Sequence, residues 1–238
     1  MEKYMLASRI IARMKAMAKK ERGEFFQRFF KTREGEYAEG DQFLGLRVPQ
    51  VRALAKEYRE ISLEEVLKLL RSPIHEIRQL ALFILVWQFK KGDESKRKKI
   101  YDLYFKNKKY VNNLDLVDGS AEHIIGAYLF DRDRSILKTL ARSGSLWDRR
   151  IAILSCFHFI KKKDFSTALE IASILLKDKE DLIHKAVGWM LREIGERDIR
   201  TETSFLKKYY GKMPRTMLRY AIEKFEPGLR QQYLRGEI

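Results

Sequence analysis

Apolar residues along this chain return every three or four positions, and no window of strand length alternates. Ile77, Leu80, Ala81, Ile84 and Leu85 follow the i, i+3, i+4, i+7 rule, as do Val51, Leu54, Ala55 and Tyr58 after Pro49. Ser62-Leu63-Glu64-Glu65 has the form of a capping box. Pro49, Pro73, Pro214 and Pro227 each stand beside a predicted helix start, where proline is tolerated. The pattern predicts an all-α chain of about a dozen helices joined by short turns. Residues 33–41 are the least helical stretch and are expected to be an ordered loop. Residues 90–109 predict an amphipathic helix with a solvated cationic face.

A degenerate repeat runs through the helices. Arg78-Gln79-Leu80-Ala81-Leu82, Arg150-Ile151-Ala152-Ile153, Lys185-Ala186-Val187 and Arg219-Tyr220-Ala221-Ile222 each join a cation, a small alanine and a branched apolar run. Gly119-Ser120-Ala121-Glu122-His123-Ile124 lacks the cation. The alanines at 81, 121, 152, 186 and 221 are spaced by 40, 31, 34 and 35 residues, and another helix precedes each. Stacked helix pairs have this signature, because one pair cannot bury its apolar face alone. The expected architecture is an α-solenoid of HEAT-like repeats, a single domain over residues 1–238 with a concave basic face. An irregular helical bundle is the alternative.

Charge narrows the partners. The 238 residues carry 49 Lys and Arg against 33 Asp and Glu, a net charge of +16, which favours nucleic acid, an anionic surface or an acidic protein. Cys156, the only cysteine, lies in an apolar run and reads as core. His75, His123, His158 and His184 make no metal-ligand spacing with each other or with the cysteine, so no structural zinc site is expected. Arg9, Arg13 and Lys15 interrupt the N-terminal apolar residues, and Leu80 to Trp87 is too short to cross a bilayer. A soluble, cytoplasmic, monomeric protein is expected. Trp87 reads as core.

Polar residues on apolar stripes are the candidates for chemistry. A helix after Asn113 would place Leu114, Asp118, Ala121 and Ile125 on one face, so Asp118 is either paired or present for a reaction. Asp115, in the first turn, is explained by the helix dipole. A helix from Ser145 puts Arg150 on the face of Trp147, whereas Arg149 points elsewhere and reads as a solvated charge. On spacing alone, one mutual ion pair between Asp118 and Arg150 that stitches adjacent repeats accounts for both residues slightly better than catalysis does. Lys185, Trp189 and Arg192 share a third face. Such an indole between two cations suits a phosphodiester with a sugar or base against the ring, or a half-buried tryptophan with snorkelling neighbours.

Five segments in order resemble the AlkD-type DNA alkylation repair proteins, HEAT-repeat DNA glycosylases. They run from Tyr37 to Pro49, Asn112 to Asp118, Leu146 to Ile153, Lys185 to Glu193 and Met213 to Ile222. The resemblance implies excision of positively charged N3- or N7-alkylated purines from duplex DNA without a cofactor. It implies a catalytic aspartate at Asp118, a DNA-contacting arginine at Arg150, and a cleft tryptophan and arginine at Trp189 and Arg192. A cleft tyrosine falls on Tyr37 with one residue of slippage. Lys185 joins the DNA-binding set through the stripe it shares with Trp189. Leu114 stands where the family usually carries a tryptophan, so a branched aliphatic replaces one aromatic wall. A DNA-binding relative without chemistry, recognising damaged or branched DNA, and a scaffold for an acidic protein are the competing readings.

Overall fold

The computed structural model describes residues 6–238; the first five residues of the N-terminal segment discussed above lie outside it. The described residues are almost entirely helical, their one extended pairing being a parallel bridge between Gln42 and Ile74. They form two compact units, up to Ile124 and from Ile125.

The first unit contains α1 (Leu6–Ala16), α2 (Lys20–Phe29), α3 (Val48–Glu57), α4 (Leu63–Leu70), α5 (His75–Lys91), α6 (Glu94–Lys106) and α7 (Leu114–Asp118). Helix α5 is its centre and packs on α3, α4, α6 and α7. It is apolar on almost every side, which is the form of a fully surrounded helix. Ser62 caps α4 by accepting from the Glu65 amide, as the capping box predicts. The return limb is absent, because the Glu65 carboxylate accepts from the Ala7 amide at 2.6 Å and so satisfies the first turn of α1 instead.

The loop predicted at 33–41 is ordered and extends from the end of α2 to Arg47. Glu76 anchors it, accepting from the amides of Leu44, Gly45 and Leu46 at 3.0, 2.8 and 3.2 Å. Gly45 has φ +80°, and a Cβ there would lie 2.3 Å from the Lys19 carbonyl, so only glycine lets the loop close on α2.

The second unit contains α8 (Ala127–Leu129), α9 (Ser135–Ala141), α10 (Leu146–Lys161), α11 (Ser166–Ile174), α12 (Asp181–Gly195), α13 (Ile199–Tyr209), α14 (Arg215–Ala221) and α15 (Pro227–Arg235). Helices α10, α12 and α14 pack in succession, with α9, α11 and α13 alongside. Ala152, Ala186 and Ala221 sit on α10, α12 and α14, and all five repeat alanines are buried. At Gly188 a Cβ would meet the Met217 carbonyl at 2.4 Å, which shows how closely α12 and α14 approach.

The helix expected to run straight through Leu114, Asp118, Ala121 and Ile125 is broken. Helix α7 ends at Asp118, a turn follows at Gly119 and Ser120, and residues Glu122–Gly126 form a π-helical turn. The Ser120 hydroxyl donates to the Leu116 carbonyl, a back-bond that bends helices. Asp118 therefore sits at a helix end.

One buried carboxylate in the second unit carries no countercharge in direct contact. Glu202 on α13 is 1% exposed, its Oε1 lacks a hydrogen-bond partner, and burial raises its pKa to about 8 despite the field of Arg192. A raised carboxyl pKa means that the folded state holds its proton while the unfolded state gives it up. Stability should therefore fall as pH rises from about 4.5 to about 8. Glu202→Gln should remove that decline, matching wild type in thermal unfolding at the acid end and exceeding it above pH 8. A wild-type profile unchanged by the substitution would contradict the assignment.

Candidate functional site

Two elements of the first unit fix the surroundings of Asp118. His75, at the start of α5, donates from Nδ1 to Asp41 Oδ2 at 3.1 Å and from Nε2 to Asp115 Oδ2 at 3.0 Å. Arg78 donates to Asp41 Oδ1 at 2.6 Å, Asn113 to Asp41 Oδ2 at 3.0 Å and Gln79 to Asp115 Oδ2 at 2.7 Å. Burial opposes charge on His75, yet the Asp115 and Asp41 carboxylates outweigh it and raise the imidazole pKa to about 9. Burial likewise opposes charge on Asp41, but its bonds to His75 and the Arg78 charge hold that carboxyl below its ordinary range. An imidazolium thus joins the loop, α5 and α7. Asp115 does more than complement a helix dipole; it is the residue by which α7 is held.

One turn beyond Asp115, Asp118 lines a cavity of about 350 Å³ with Arg52, Lys56, Lys90, Phe83, Trp87 and His123. Three cations share this space with one carboxylate. The Arg52 guanidinium lies 4.2 Å from the centre of the Phe83 ring, and Arg59 lies 4.9 Å from that of Trp87. Trp87 is half-buried and lines the cavity, contrary to its reading as core. Burial and the Asp118 charge together push the Tyr104 phenol above its usual pKa, and its hydroxyl bonds Ser120 at 3.1 Å. Tyr37 is half-buried in the 30–47 loop and is not among the residues lining this cavity.

In the second unit the structure brings Arg150, Lys185, Trp189 and Arg192 onto α10 and α12. Arg150 is 5% exposed and donates to the Leu182 carbonyl at the start of α12. Lys185 pairs with Asp181 at 2.7 Å; that hydrogen bond raises its pKa, against the nearby charge of Arg150. Trp189 donates its indole N–H to Glu193 at 3.0 Å and packs on Phe157, with ring centres 5.6 Å apart. Arg192 pairs with Glu223. Arg149, expected in solvent, instead bonds Asp178 at 2.6 Å and the carbonyls of Ser143 and Gly144, which ties two turns together. Its reach across the turn, not its helical phase, decides its environment.

Among the described residues no group of three or more His, Cys, Asp or Glu is placed to hold a metal ion, and no helix is long and apolar enough to cross a membrane. Cys156 is buried, and burial pushes its thiol pKa up, as a core role requires.

Comparisons with known proteins bear on the family and the helical fold. The family model of the DNA alkylation repair enzyme matches residues 10–225. A solved structure of a predicted DNA alkylation repair enzyme from Enterococcus faecalis superposes with a TM-score of 0.67 at 15% identity, covering 88% of this chain and 97% of that one. A search of curated protein sequences finds no match.

The His75 assignment carries its own test. A basic group with a raised folded pKa contributes stability that is complete below about 6.5 and lost as pH rises through about 9. His75→Gln should lose that dependence. It should also lose about 3–5 kcal/mol near neutrality, the cost of removing one partner from a buried ion pair. Denaturant unfolding across the pH range checks both, and an unchanged alkaline limb would refute the imidazolium.

Proposed function

We propose that this chain, which belongs to the DNA alkylation repair enzyme family, hydrolyses the N-glycosidic bond of N3- or N7-alkylated purines in duplex DNA. The observation that carries the reading is the cavity that Asp118 lines, where one carboxylate meets three cations and two aromatic rings.

The chemistry follows from the substrate. Alkylation gives the purine a positive charge, so the base departs neutral with the electrons of the C1′–N bond and needs no general acid. The sugar left behind develops oxocarbenium character, as in glycoside hydrolysis. A carboxylate near C1′ stabilises that cation and accepts a proton from the water that adds there. Asp118 fills this role. Arg52, Lys56 and Lys90 supply positive charge for the phosphates beside the lesion. Phe83 and Trp87 offer apolar faces to a deoxyribose, a service Leu114 cannot give as a π surface.

Within the second unit, Trp189 is assigned to pack on the deoxyribose, and Lys185 and Arg192 to contact phosphates. Both cations must then exchange Asp181 and Glu223 for DNA; for the exposed Lys185–Asp181 pair the cost is small, because surface ion pairs are worth only ~0–1 kcal/mol, and for Arg192, whose side chain is largely buried, it is greater. Arg150, nearly buried and bonded to the Leu182 carbonyl at the start of α12, is assigned to hold that helix in place beneath the phosphates.

A second reading is favoured by Leu114. With an aliphatic at the first position of α7, the protein binds damaged DNA and leaves the base in place. One experiment separates the two. Methylated duplex DNA is incubated with wild type and Asp118→Asn, and free 7-methylguanine and 3-methyladenine are scored. The glycosylase reading expects release by wild type and a loss of about 10²–10³-fold or more in the variant, with DNA binding retained. Equal release from both proteins would remove Asp118 from the mechanism. Binding that falls with salt at a log–log slope of roughly −4 to −5 but yields no base establishes the second reading, and a flat salt response would sink both.

A further inference from the structure

Trp189 is one member of a closed circuit of side chains in the second unit. Its indole N–H donates to Glu193 Oε1 at 3.0 Å, one turn on along α12. The other carboxylate oxygen of Glu193 accepts from the Arg197 guanidinium at 2.8 Å, and the same guanidinium nitrogen donates to the Glu193 carbonyl at 2.6 Å. Arg197 in turn lies 5.9 Å from the centre of the Phe157 ring. Phe157, on α10, closes the circuit by packing on Trp189, with ring centres 5.6 Å apart and planes inclined by 60°. Lys161, one turn beyond Phe157, lies 4.1 Å from the centre of the same ring.

The circuit fixes what a helix leaves free. A tryptophan on a helix flank keeps a choice of rotamers, and packing against one neighbouring ring limits its tilt without deciding which edge of the indole faces outward. A directed bond from the indole N–H to a carboxylate decides the edge. Glu193 is suited to this, because both of its oxygens are engaged and its side chain is only 14% exposed. Its charge works against the partner assigned to this helix. An acid next to Arg192 repels the phosphates that Arg192 is there to meet, so affinity for DNA gives no reason for Glu193 to be present. Its hold on Trp189 does.

We propose that Glu193 is a positioning residue for base release: it sets the indole of Trp189 in the orientation in which the ring meets the deoxyribose, and Arg197 holds Glu193 in place. The inference rests on the assignment of Trp189 to the sugar. A ring oriented in advance needs no ordering when DNA arrives, and a small misplacement of such a group lowers rate more than affinity.

Two measurements on the full chain test it, made on wild type, Glu193→Ala and Glu193→Gln. One is single-turnover release of 7-methylguanine from methylated duplex, with the affinity for that duplex. The other is the NMR signals of the indole N–H groups. Trp87, Trp147 and Trp189 are the only tryptophans, and Trp189→Phe identifies the signal of interest. Glu193→Ala should shift and broaden the Trp189 signal alone and slow release about tenfold, with the duplex bound no more weakly than by wild type. Glu193→Gln keeps an oxygen for the indole and a backbone carbonyl for Arg197, so it should restore the signal and bring release to within about threefold of wild type. A Trp189 signal unmoved in Glu193→Ala, a rate equal to wild type, or a loss that glutamine does not repair would overturn the proposal, the last by assigning the effect to charge. If wild type releases no base, the glycosylase reading fails and the proposal is read from titrations with duplex DNA. The Trp189 signal should then respond to DNA in wild type and Glu193→Gln and respond less in Glu193→Ala, and no response in wild type would overturn it.

Discussion

An imidazolium shared between two carboxylates holds the first unit in register. Helix α7 has five residues, far too few to be stable by propensity alone. It is placed because Asp115 is bound by His75 and Gln79, and because Asn113, its N-cap, is bound to Asp41. The long loop has the same dependence. Asp41 ties its far end to His75 and Arg78, and Glu76 collects three of its amides. All four anchors, His75, Glu76, Arg78 and Gln79, occupy the first five residues of α5. Asp118 follows Asp115 by three residues, so the position of the candidate catalytic carboxylate depends on the clamp that holds Asp115.

The positive charge of the chain is distributed unevenly in kind. Around Asp118, cations and aromatic rings line one cavity. On α10 and α12, the cations hold local acids or carbonyls: Lys185 with Asp181, Arg192 with Glu223, Arg149 with Asp178, Arg150 with the Leu182 carbonyl. The exposed pairs are exchangeable and suit phosphate capture. The contacts of half-buried Arg149 and buried Arg150 are structural joints whose removal would leave acceptors unpaired.

The repeat was legible because burial imposes a size limit at one position per helix pair, and alanine at 81, 121, 152, 186 and 221 marks it. Trp189 was legible as an amphipathic residue on the helical stripe that α12 does form, whereas the stripe that singled out Asp118 is broken after α7. The His75 clamp was not legible, because Asp41 and Asp115 lie 34 and 40 residues from the histidine and no local period joins them. Phe83 and Trp87 were hidden by the helix that carries them. Helix α5 is apolar all round, so periodicity gives no sign of which faces meet a cavity. The break after Asp118 turns on one hydroxyl, Ser120, whose choice of partner depends on its burial. Arg149 and Arg150 differ by one position in sequence, and their long side chains override the phase that the helix assigns.

The central claim is that the charged His75 clamp positions α7 and with it Asp118. Amide hydrogen exchange on wild type and His75→Gln, at a pH where both are folded, tests it most directly. The account predicts faster exchange through Val117 to Ser120 and through Leu44 to Leu46, with the helices of the second unit unchanged. Protection at α7 and in the loop equal to wild type would contradict it, and would mean that packing alone places the carboxylate.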